Sequence, residues 1–212
     1  MKHTITCYIG ILGVSLFVVA AIAGGFLIEN YSIVSQYISE TYAIDTANGV
    51  ILRTVGYIPS GMLIATFCFL ASSSLHPSKR VKIGFYGMGI FYGLATVVVA
   101  IFPCDPGCNP GFINPTSSQV IHNFVGLLTY LFVPIFMMLI GLGLRKSPNN
   151  NQFSLQSIVL GATGMFFVFV LVSDTKSAYI GLFQRIIESV FVIWVIICAI
   201  HIKNGKPITN DH

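Results

Sequence analysis

In the stretch from Ile101 to Phe124, IFPCDPGCNPGFINPTSSQVIHNF, an acid and a histidine stand at the ends of two neighbouring apolar runs. Asp105 closes one run and His122 opens the next. At such positions a polar group is costly unless it pairs or takes part in chemistry. Together the two residues have the makings of a general acid/base pair. Arg53 and Arg185 are suited to hold an anionic headgroup through charge-assisted hydrogen bonds. Glu188 follows Arg185 by three residues and shares its helix face. Ser32, Ser35 and Ser39 precede Glu40 and offer a hydroxyl nucleophile, although no GxSxG elbow surrounds them.

Metal chemistry has little to draw on. Zinc hydrolase sites use three protein ligands, often histidines. His122 is the only histidine expected on its side of the membrane, with His76 and His201 on the other, so no metal is assigned. A b-type haem is disfavoured because no pair of histidines stands at matching depth. Cys104 and Cys108 bracket Asp-Pro-Gly, a turn able to bring them together, and a disulfide is favoured over free thiols in an oxidising compartment. Such a bond would rigidify the loop that presents Asp105. Cys7, Cys68 and Cys198 lie in apolar segments and read as small packing residues.

The elements that position these residues are membrane helices. Only 8% of the 212 residues are charged and 55% are hydrophobic, against roughly 25% charged in a soluble domain. The fold class is therefore all-α, an integral membrane bundle. Apolar runs near the length of a span cover 5–28, 49–72, 82–103, 119–144, 154–173 and 179–202. They make one transmembrane domain over 1–203, followed by a polar tail at 204–212. The first run continues past the cleavage-like Ala21-Ile22-Ala23 to Ile28, longer than a signal core, and is read as a retained span. Between the first two spans, Tyr31, Val34, Ile38 and Tyr42 recur at helical spacing, predicting a short amphipathic helix over 31–44 at the interface. Pro59-Ser60-Gly61 predicts a kink in the second span. Gly84, Gly87, Gly89 and Gly93 in the third predict close helix packing, as do Pro134, Gly161 and Gly164 further on.

Basic residues set the orientation. Lys2, the group Lys79, Arg80 and Lys82, the pair Arg145 and Lys146, and Lys203 and Lys206 alternate with loops 29–48 and 104–118, which contain no Lys or Arg. The positive-inside rule places both termini in the cytoplasm and the CDPGC loop outside. The formal charge of +4 is thus a topology signal, and no nucleic-acid partner is expected. Arg53, His122, Arg185 and Glu188, the ionisable residues well inside the spans, all fall in the outer half.

Tyr31-Ser32 followed by Ile38-Ser39-Glu40, Phe102-Pro103-Cys104-Asp105 after the third span, His122 opening the fourth, and a last helix with Arg185 and then Trp194 resemble one family. It is the bacterial and archaeal membrane family catalogued as domain of unknown function 998. The likeness covers nearly the whole chain, and Phe-Pro-x-Asp followed by His is its most specific part. The resemblance implies a bundle of about six helices in a prokaryotic cytoplasmic membrane. It highlights Ser39, Asp105 and His122 without naming a reaction or a cofactor. The Cys104/Cys108 pair looks like an addition to the family's usual loop. A looser likeness is to transmembrane hydrolases that include alkaline ceramidases, which gather a serine, an aspartate and three histidines around zinc; this chain offers serines, Asp105 and one suitable histidine.

Three functions follow from the one-sided polar cluster. The first is binding or modifying a membrane lipid or small amphiphile, with Arg53, Arg185, Glu188 and Glu40 holding the ligand and Asp105, His122 and Ser39 as catalytic candidates. The second is a structural or accessory role in which the charges pair with one another, Arg185 with Glu188 and Arg53 with Glu40 or Glu29. The third is a small permease.

Overall fold

The computed structural model describes residues 1–75 and 78–205. His76, Lys206 and the remainder of the polar tail lie outside the described residues, and with them the side of the membrane expected for each.

Six helices among the described residues are long and apolar enough to cross a membrane: α1 (Lys2–Phe26), α2 (Gly49–Ala71), α3 (Lys79–Ile101), α4 (Ser117–Leu144), α5 (Asn151–Ser173) and α6 (Ile180–Asn204). Their bounds follow the predicted spans closely, because a run of apolar side chains must satisfy its own backbone before it can enter lipid. The chain is a multi-pass membrane protein. Large apolar side chains such as Val19, Val55, Leu155, Phe166 and Phe169 are more than half exposed on the outside of the bundle, as a lipid-facing surface requires. Six passes bring Lys2 and Lys203 to one end, with Lys79, Arg80 and Lys82 at the start of α3 and Arg145 and Lys146 after α4. The opposite end, here the loop end, carries the 27–48, 102–116 and 174–179 connections.

Toward the basic end the interior is solid. Phe67, Phe85, Met137, Phe153, Phe191 and Trp194 are fully buried in one apolar cluster. The Trp194 indole N–H donates to Ser157 Oγ at 2.9 Å, satisfying the one polar atom of that side chain. The glycines pack as expected. A Cβ added at Gly61 on α2 would lie 2.6 Å from the Gly93 carbonyl oxygen on α3, so only a bare backbone permits that crossing.

Two helices widen locally into π turns, Leu52–Tyr57 in α2 and Gly89–Leu94 in α3. The first has a direct cause. Pro59 has no N–H, and its ring collides with the carbonyl four residues back. The turn before it relaxes to i→i+5 bonding, with Ile58 N–H reaching the Arg53 carbonyl. The kink predicted at Pro59-Ser60-Gly61 is therefore a π turn just ahead of the proline, and Ser60 Oγ donates across to the Gly13 carbonyl at 2.8 Å.

The helix predicted over 31–44 is reduced to one 3-10 turn, Ile38–Tyr42. Polar side chains explain the difference, since they take the backbone donors a helix would have used. Gln36 Oε1 accepts the Ser32 N–H at 2.7 Å, and Glu40 Oε1 accepts the Tyr37 N–H at 2.7 Å. The turn does not lie flat on the membrane surface either. Ile38, Ser39, Thr41 and Tyr42 are buried, inserted between the helix ends.

Candidate functional site

The loop end is hollow where the basic end is solid. A cavity of about 360 Å³ lies under the loops, lined by Ser39, Tyr42, Tyr57, Tyr92, His122, Tyr130, Gln184 and Glu188, with Asn109, Pro110 and Phe112 also on its lining. Pro110 and Phe112 are exposed to solvent and stand at its mouth. A second, larger cavity of about 680 Å³ runs between α1 and α6. Its walls are apolar for most of their length, with Phe17, Val18, Ala21 and Ile22 on one side and Val192 and Ile193 on the other. Tyr31, Arg185, Glu188 and Ser189 supply its polar groups. Phe17, Ile38 and Glu188 line both spaces, so the two adjoin at these three residues.

Glu188 faces two tyrosine hydroxyls, Tyr130 within hydrogen-bond distance and Tyr92 beside the same carboxyl. Tyr130 OH lies 3.1 Å from Glu188 Oε1 and accepts from Gln184 Nε2 at 2.9 Å. Gln184 Oε1 in turn accepts the Ile38 N–H at 2.6 Å. The amide fixes the direction of the chain: with Gln184 donating into its oxygen, Tyr130 turns its proton to the carboxylate. Glu188 Oε2, Tyr57 OH and Tyr92 OH are buried with no hydrogen-bond partner among the described residues.

His122 lines the polar cavity on the α4 side. Its Nδ1 lies 2.9 Å from the Phe102 carbonyl and 3.2 Å from that of Val99. Both are acceptors, so Nδ1 carries the proton and Nε2 is the nitrogen left basic. Ser39 lies on the same lining, its Oγ 3.1 Å from Cys108 Sγ.

Asp105 is elsewhere. Its carboxylate accepts from Thr116 Oγ1 at 2.6 Å and Thr116 N–H at 3.1 Å, and Asn109 Nδ2 lies at 3.4 Å. Its own N–H donates to Gln119 Oε1 at 2.7 Å. Hydrogen bonds to Thr116 hold the carboxyl below the usual aspartate range. Asp105 thus fastens the 102–118 loop to the start of α4, and the acid/base pair with His122 is not formed: each residue is committed to different local groups.

The expected ion pairs are not formed either. Arg53 Nη1 donates to the Tyr42 carbonyl at 2.8 Å. Arg185 Nη1 donates to the carbonyls of Gln36 at 2.8 Å and Gly181 at 3.0 Å, and Nη2 bonds the Tyr31 hydroxyl. Its guanidinium carbon also lies 5.4 Å from the centre of the Tyr31 ring, within cation–π range. Both arginines fasten the 27–48 segment through its backbone. Glu40 caps the 3-10 turn. Of the residues singled out in the sequence, Ser39, His122, Arg185 and Glu188 reach the two cavities, while Arg53, Glu40 and Asp105 hold the loops over them.

Cys104 and Cys108 lie at disulfide-bonding distance, Cα–Cα 4.8 Å. Cys7, Cys68 and Cys198 are buried in the helices. Among the described residues no three His, Cys, Asp or Glu side chains are arranged to hold a metal ion. Sequence reasoning missed the tyrosines. Tyr57, Tyr92 and Tyr130 come from three helices, and the signal that marks them is a hydroxyl in the loop-end half of an otherwise apolar span.

Comparison with known proteins places the chain in one group. Residues 11–201 match the family described as Protein of unknown function (DUF998). No curated protein and no solved structure matches the chain.

Proposed function

The chain belongs to the DUF998 family, and for this member we propose that it binds an amphiphile drawn from the membrane. The observation that carries the reading is the junction of the two cavities. An apolar groove between α1 and α6 suits a hydrocarbon chain, and it leads to a buried polar cavity that suits a headgroup. Arg185 stands in the groove, with Glu188 at the junction. His122 and Glu188 are the groups positioned to exchange a proton with a bound headgroup. A permease is less well supported, because Phe85, Met137, Phe191 and Trp194 close the bundle below the cavity.

Native mass spectrometry of the detergent-purified protein tests this. Wild type is expected to retain an amphiphile, Ala21→Trp to lose it by filling the groove, and Val19→Trp, on the exposed face of the same helix, to keep it. Equal retention in all three proteins would sink the proposal.

The same reading places the loop end outside a prokaryotic cytoplasmic membrane and both termini in the cytoplasm, supported by the basic residues at the other end. A cysteine introduced at exposed Ser35 should then react with a membrane-impermeant maleimide in intact cells. Reaction only after permeabilisation would invert the topology.

A further inference from the structure

The polar cavity is selective in a way that its size alone does not convey. It presents three buried oxygens without partners among the described residues: Tyr57 OH, Tyr92 OH and Glu188 Oε2. Tyr57 is 2%, Tyr92 1% and Glu188 9% exposed. A buried polar atom left unpaired is costly, and a buried carboxylate facing only hydroxyl donors is costlier. Tyr130 donates to Oε1, and the Tyr92 hydroxyl neighbours the same carboxyl. Among the described residues no Arg or Lys lines this cavity, and Arg185 stands in the adjoining groove with Nη bonds to two carbonyls and a tyrosine.

We propose that the cavity receives a primary ammonium group, so that the bound amphiphile is one with an amine headgroup. The proposal rests on the amphiphile reading above and names its chemical class. A primary ammonium brings three N–H donors to three unpartnered oxygens, and its charge offsets that of Glu188. The tyrosine rings around it add the aromatic surroundings in which organic cations are held. A quaternary ammonium has the charge but no N–H for those oxygens. A hydroxyl headgroup has one donor and no charge. A phosphate or carboxylate placed there would face Glu188 with no cation to offset either. The hydrocarbon chain then leaves past Phe17 and Glu188 into the groove.

The ammonium could come from a phospholipid or from a single-chain amine, so the test uses both. Short-chain phosphatidylethanolamine and dodecylamine are titrated onto the purified protein by native mass spectrometry. Phosphatidylglycerol of the same chains and dodecanol serve as their ammonium-free counterparts. At least one ammonium member should bind about tenfold or more tighter than its counterpart, the scale of a hydrogen bond to a charged group. Preference confined to the phosphatidylethanolamine pair names a phospholipid headgroup; preference in the dodecylamine pair names a free amine. Glu188→Gln keeps an acceptor for Tyr130 and should abolish the preference, and Tyr92→Phe, which removes one oxygen only, should reduce it. Equal binding of the paired ligands, or an undiminished preference in Glu188→Gln, overturns the ammonium proposal. If all four ligands bind alike and Ala21→Trp still blocks them, the amphiphile reading stands and only the ammonium fails. If none binds, both fail.

Discussion

The side chain of Gln184 on α6 holds the backbone of Ile38 in the first loop, its Oε1 accepting the Ile38 N–H at 2.6 Å. Both groups are buried, and the other end of the amide donates to Tyr130, which in turn bonds Glu188. One residue thereby couples the cover of the cavity to its carboxylate. Gln184→Leu, similar in size, leaves the Ile38 N–H unpaired and should lower stability by about 1–3 kcal/mol. A thermal unfolding midpoint in detergent measures it, and an unchanged midpoint would show that the bond contributes nothing.

Asp105 makes the 102–118 loop sensitive to acid. Its carboxyl is held below the usual aspartate range by Thr116. A depressed folded value means the stabilisation is complete above the ordinary value near 4 and is lost as pH falls through the depressed one. Protection of residues 105–116, corrected for the intrinsic exchange rate, should therefore be lower well below pH ~4 than at neutral pH. Asp105→Asn should already exchange fast at neutral pH and respond less to acid. Equal protection of the loop at both pH values in the wild type would refute the role.

The spans were legible in the sequence because a lipid-facing helix writes its bounds in local composition. The glycine contacts were legible for the same reason, as small residues in an apolar run have few other uses. The polar site was only half legible. Asp105 and His122 looked paired because both stand at span ends, yet the neighbouring backbone and Thr116 satisfy them first. Tyr31, Val34, Ile38 and Tyr42 have helical spacing, but Gln36 and Glu40 divert the backbone N–H groups. Tyr57, Tyr92 and Tyr130 are brought together only by the packing of three helices, which no single stretch encodes.

Gly61 is where α2 and α3 touch backbone to backbone. The added Cβ of Gly61→Ala would press on the Gly93 carbonyl, and overpacking of this kind costs about 1–3 kcal/mol. The thermal midpoint should fall, while Gly126→Ala, where an added Cβ meets nothing within 4 Å, should leave it unchanged or raise it, since alanine favours the helix. A similar midpoint for both would deny the tight crossing.

The Cys104–Cys108 pair closes a very short loop, four residues apart in sequence. Its effect on the unfolded chain is correspondingly small, below the roughly 3 kcal/mol of a loop of about 15 residues. The double variant Cys104→Ser, Cys108→Ser should keep most of the thermal stability while losing protection around Ser39, which touches Cys108. Collapse of the whole fold would contradict this.

Glu188 stands between a mouth edged by exposed Pro110 and Phe112 and a groove walled by α1 and α6. On the proposed reading, one buried carboxylate would then have water beyond one end of its ligand and hydrocarbon beyond the other. A molecule bound as proposed would sit at a partition point, its arrival governed by mole fraction in the bilayer and its escape through the mouth by solubility in water. Occupancy would then track membrane composition rather than bulk concentration.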